Sequence, residues 1–117
     1  MFDLTLNYCL SFPAVIAEEK RDHEIRFSVG DKLFCMLSSR APHTIAFKCT
    51  MDQFHSLICR TGIVPAPSLS RYHWVQVRNL DTLPLSELQA LIQASYEMIV
   101  STLPPEPQQG ANVAARK

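Results

Sequence analysis

Leu85, Leu88, Leu91, Ile92, Ser95, Ile99 and Leu103 recur every three or four residues near the end of the chain, bracketed by Pro84 and Pro104-Pro105. That spacing predicts a long amphipathic helix, with Pro84 suited to its first position. A helix with such a stripe needs an apolar surface to lie on, and the middle of the chain supplies one. Residues 25–29 (Ile-Arg-Phe-Ser-Val) alternate, residues 32–38 return, and Gly30-Asp31 forms a two-residue hairpin turn between them. Beyond a loop at residues 39–42, residues 43–49 alternate again, with Ile45, Phe47 and Cys49 on one face and Thr44, Ala46 and Lys48 on the other. Residues 73–78 read as a further strand, Val75 and Val77 facing one way and Trp74, Gln76 and Arg78 the other.

Shorter signals complete the layout. Leu6, Cys9 and Leu10 share one face of a helix over residues 3–12, which Asp3 caps and Pro13 ends. The charged run 17–24 has little apolar periodicity and reads as a solvated connection. Thr50 and Gln53 have the spacing of a capping box, Phe54, Leu57 and Ile58 form the stripe behind it, and Gly62 is a stop. Pro65 and Pro67 restrict residues 63–69 to an edge strand or extended loop. The resulting order, α-β-β-β-α-β(β)-α, argues for a two-layer α+β fold: an antiparallel sheet with helices mainly on one face. Residues 1–104 form one domain, and residues 105–117, rich in Pro, Gln and Ala, a flexible tail.

The 117 residues suffice for one domain, and their hydrophobic share of 47% for one core. No apolar run reaches the roughly 18 residues of a membrane span. Asp3 stands where a secretory signal carries basic residues, so the expected compartment is the cytoplasm, with no membrane partner. The four cysteines are scattered without a C-x-x-C pair, as buried free thiols would be. The net charge of +0 conceals an uneven distribution. Residues 1–25 carry −3, residues 26–78 carry +5 and residues 79–117 carry −2.

If Phe27, Val29, Ile45 and Phe47 are core, then Arg26, Ser28, Thr44 and Lys48 share the outer sheet face with Trp74, Gln76 and Arg78. Trp74 among Arg26, Lys48, Arg71 and Arg78 would be a stacking surface with phosphate partners, or else would pack under a loop. No acid or nucleophile is linked to His73, whose ring is expected to bond a backbone carbonyl. His55 and Cys59 have metal-ligand spacing but no second pair to complete a zinc site. Ser95 lies on the apolar stripe without a nucleophile turn, and is expected to permit close packing while Tyr96 ties the helix to a strand. No glycine-rich phosphate loop is present. These absences lead to the expectation of a non-enzyme without cofactor or metal.

Four stretches together resemble the MmcQ/YjbR family over about residues 5–105. They are Tyr8-Cys9-Leu10 with Pro13, the hairpin from Val29 to Phe34, Ala46-Phe47-Lys48-Cys49, and Arg71-Tyr72-His73-Trp74 followed by Ser95-Tyr96 and Leu103-Pro104. Where the family pattern has Asn-Lys, this chain has Ser70-Arg71, keeping the charge and losing the amide. The resemblance implies a secretion-chaperone-like, CyaY-like fold and binding of DNA, with hairpins acting as wings. The candidate nucleic-acid-binding residues are Arg26, Lys32, Lys48, Arg71, His73, Trp74 and Arg78. The rival reading is a protein-interaction or chaperone-like module, a monomer or weak homodimer. It draws on Phe34 and Met36, which simple alternation would expose on the face of Lys32. A small-molecule enzyme is the third reading, and would need a deep pocket holding His73 and a carboxylate.

Overall fold

The computed structural model describes residues 1–67 and 69–103. The expected tail at 105–117 lies outside the described residues. Helix α1 (Phe2–Leu10) leads into strands β1 (Ile16–Glu19), β2 (Glu24–Val29), β3 (Lys32–Ser38) and β4 (Ile45–Lys48). Helix α2 (Met51–Leu57), strands β5 (Ile63–Pro65) and β6 (Trp74–Val77) and helix α3 (Leu85–Val100) follow. The strands form one six-stranded sheet in the order β1-β2-β3-β4-β6-β5, every neighbouring pair antiparallel. This is the expected two-layer α+β fold.

The local chemistry explains most boundaries. Gly30 and Asp31 turn the β2–β3 hairpin with φ of 56° and 68°, the left-handed pair a tight hairpin requires. Thr50 and Gln53 close the predicted capping box in both directions, at 3.1 and 3.0 Å. Helix α2 ends well before Gly62, which instead turns the chain into β5 at φ 88°. Pro84 caps α3 from outside rather than occupying its first turn.

Register sorts the side chains into two faces. Ile25, Leu37, Ile45, Val77 and Ile63 make one row beneath the helices; Phe27, Cys35, Phe47 and Val75 make the next. Both rows are buried with Leu88, Ile92 and Ile99 of α3, which lies across β3 and β4. The opposite, open face carries the row Arg26, Met36, Ala46, Gln76 and Val64.

Two expectations need correction. Residues 17–19 of the charged run belong to an edge strand exposed at every position, Glu24 begins β2, and only residues 20–23 connect. A polar strand at a sheet edge shows water both its faces, so its sequence has no alternation to display. Phe34 is not exposed beside Met36. Between Phe27↔Cys35 and Ser28↔Leu33 the register slips, leaving Phe34 as an extra residue in β3. That bulge turns Phe34 and Cys35 both into the core, while Leu33 and Met36 stay on the open face.

Candidate nucleic-acid interface

The bulge opens a gap in the β3–β4 ladder, and α3 fills it. Ser95, fully buried, donates its hydroxyl to the Phe34 carbonyl at 2.7 Å and accepts the Lys48 N–H at 3.0 Å. One small polar side chain therefore satisfies two main-chain groups that the bulge would leave unpaired. It also fixes the backbone of Lys48. Tyr96 ties α3 not to a strand but to the Pro13 carbonyl, at 2.7 Å, with its ring stacked on Phe12.

Lys48 faces Trp74 across β4 and β6. Trp74 is buried, 5% exposed, in a small cluster with Ala46 and Ala66, against which Leu33, Met36 and Leu69 pack. It cannot offer its face to a base, so of the two expected roles it holds only support. What it supports is a 3₁₀ turn at Ser70–Tyr72. The Tyr72 N–H bonds the Leu69 carbonyl at 3.0 Å, and Lys48 Nζ donates to the Tyr72 carbonyl at 2.8 Å. The turn presents Arg71 and Tyr72 outward. The Arg71 guanidinium lies 5.1 Å from the Tyr72 ring centre and donates to its hydroxyl at 3.1 Å. Tyr72 is 50% exposed.

Lys32 is exposed just beyond the hairpin turn, at the same end of the sheet as Lys48, but it pairs with Val29 of the core and so lies on the helix-covered face, away from Leu33 and the open face. The other candidates are elsewhere. Arg26 lies mid-sheet and is engaged by Glu24 at 2.8 Å, which holds the guanidinium still more firmly protonated. Arg78 is exposed at the opposite end of β6, its N–H on the Gly62 carbonyl at 2.8 Å. His73 turns its ring into the helical layer, 5.6 Å from Phe54, and no described hydrogen bond joins that ring to a carbonyl. Its contribution is main-chain: φ of 64°, and a carbonyl that accepts the Cys49 N–H at 2.8 Å. The structure thus gathers Lys48 and Arg71 and separates Arg26, Lys32, His73 and Arg78 from them. Tyr72 was missed, although its place directly after Arg71 in the Arg-Tyr-His-Trp stretch was the available signal.

The middle of the open face is a groove of about 280 Å³, formed where small Ala46 lies between Met36 and Gln76. Asp22, Glu24, Ser38 and Thr44 line one side, Ala66 and Pro67 the other. His73 is not among its lining residues. Among the described residues no group of three or more His, Cys, Asp or Glu could hold a metal ion. No helix among them is long and apolar enough to cross a membrane. Cys9, Cys35 and Cys49 are buried free thiols, and Cys59 is exposed.

An open antiparallel sheet, helices on one face and a Trp-supported basic turn on the other, defines the class of protein: a two-layer α+β domain with one free sheet face. The YjbR family model matches residues 10–98, and the chain belongs to that family. It is 27% identical over 104 residues to the uncharacterized protein YjbR of Escherichia coli K12, covering 86% of this chain and 88% of that protein. The crystal structure of Deinococcus radiodurans protein DR2400, which has a DUF419 domain, superposes with a TM-score of 0.82 at 18% identity, covering 98% of this chain and 90% of that one. A Pseudomonas syringae protein superposes with a TM-score of 0.68 at 21% identity, covering 83% and 97%. At such identities the likeness to both structures is one of fold.

Proposed function

We propose that this protein is a non-enzymatic DNA-binding protein that holds the phosphate backbone at the hairpin end of its open sheet face. The observation that carries this reading is the meeting of Lys48 and Arg71 there, at a turn seated on buried Trp74. Each side chain comes from a separate part of the sequence, and the bulge, the Ser95 bridge and the 3₁₀ turn fix where they meet. Arg71 lies over the exposed Tyr72 ring and Lys48 bonds the Tyr72 carbonyl, so cations and an aromatic ring stand together, the combination that meets phosphates and bases. The rival interaction reading loses part of its surface, because Phe34 is in the core and Met36 is half-covered in the Trp74 cluster.

The test is a fluorescence-anisotropy titration of a labelled oligonucleotide at about 20 mM salt, repeated at rising salt. With two phosphate contacts, log K should fall against log salt with a slope of roughly −1.5 to −2. Absence of any complex at low salt, or an affinity indifferent to salt, would overturn the proposal.

A further inference from the structure

We infer that the nucleic acid this face takes is single-stranded, with an unpaired base stacked on Tyr72. The inference rests on the nucleic-acid reading above and adds the strandedness of the ligand. Tyr72 is a half-exposed ring on a turn held at several points: its own N–H, its carbonyl under Lys48, its hydroxyl under Arg71, and Leu69 packed on Trp74 beneath. A ring so held cannot reach into a closed duplex, whose bases are already stacked, unless a base step is opened at a cost of a few kcal/mol. An unpaired base meets it without that cost, and the Arg71 guanidinium, lying over the ring, adds a cation to the stack. Lys48 then lies to the side, where one strand's phosphates would pass.

The rest of the open face does not prepare a second phosphate row. Its central groove is lined by Asp22 and Glu24, and Arg26 above it is already engaged by Glu24. A duplex laid across the sheet would set its second strand against those carboxylates. A single strand following the hairpin end avoids them.

The experiment compares a labelled 12-nucleotide single strand with the duplex of the same sequence, each titrated at low salt with the intact chain and with Tyr72→Ala and Tyr72→Phe. One stacked base supports an expectation of single-strand binding tighter by about fivefold to a hundredfold. Tyr72→Ala should remove most of that advantage while changing duplex affinity by less than about twofold, and Tyr72→Phe should keep it. Equal or tighter duplex binding overturns the inference and leaves the nucleic-acid reading standing. So does a Tyr72→Ala protein that loses both ligands alike or neither. Failure to bind either ligand overturns the reading itself.

Discussion

Ser95→Ala removes one oxygen atom and should cost far more than a Ser-to-Ala change usually does. The hydroxyl makes two bonds, 2.7 Å to the Phe34 carbonyl and 3.0 Å from the Lys48 N–H, in a site with no solvent exposure. Its loss leaves two buried main-chain groups without partners, each worth about 1–3 kcal/mol. The low end applies if β3 and β4 can close on each other across the gap. They cannot do so freely, because Phe34 is the extra residue of the bulge and its ring is locked in the core. The expected loss is therefore about 2–4 kcal/mol, a fall of roughly 1–3 M in the urea midpoint for a domain of this size. The control is Ser101→Ala at the end of the same helix, where an exposed hydroxyl bonds only the Met98 carbonyl. It should cost under about 0.5 kcal/mol. Equilibrium urea unfolding followed by the fluorescence of Trp74 reads both. If Ser95→Ala costs no more than Ser101→Ala, the bulge does not depend on the helix and the account of how Lys48 is placed fails.

Further outcomes follow from the same packing. Trp74→Ala should cost about 3–5 kcal/mol, because it empties the cluster beneath the basic turn, and should weaken DNA binding even where the domain remains folded. A variant as stable as the parent would mean that Trp74 supports nothing. In native buffer an aromatic disulfide reagent should titrate Cys59 rapidly and spare the other three cysteines until urea is added. Burial has pushed Cys49 up to about 12, and Cys35, buried against Cys9, is likewise raised. More than one fast thiol would contradict that burial. Gly30→Ala should destabilise by about 1–2 kcal/mol, since a left-handed φ of 56° strains alanine. Gly30→Asn should cost less, because asparagine tolerates that region; equal losses would point instead to the Leu103 side chain, 2.9 Å from an added Cβ.

Much of this architecture was legible before any coordinates. The Gly30-Asp31 turn, the Thr50–Gln53 box and the α3 stripe are local devices whose residues sit close together in sequence, so spacing alone reveals them. The β3 bulge is different. No glycine marks it, and Phe34 is as apolar as its neighbours, so alternation counted along the strand predicts the wrong face. It becomes visible only through pairing with β2. The same limit hid β1, whose Glu18 and Glu19 carry no alternation between wet and dry sides. The site is partly legible: Lys48 and Arg71 are among the candidates, but so are Arg26, Lys32, His73 and Arg78, which the register and the turn at residue 73 send elsewhere. Trp74 could be placed on the open face from its parity with Val75, yet whether it was covered depended on the segment bearing Ala66 and Leu69 folding over it. That same covering brought Tyr72 to the surface.

The central claim is that Lys48 and Arg71, far apart in sequence, act together on phosphate at one end of the open sheet face. The most direct test is the affinity of the Lys48→Gln, Arg71→Glu double variant for a labelled single strand at low salt. Arg71 is exposed and Lys48 partly so, its Nζ bonding the Tyr72 carbonyl, so thermal unfolding should stay within about 1.5 kcal/mol of the parent. The account predicts an affinity loss of at least about tenfold and a shallower dependence on salt. A folded double variant that binds as tightly as the parent would contradict it.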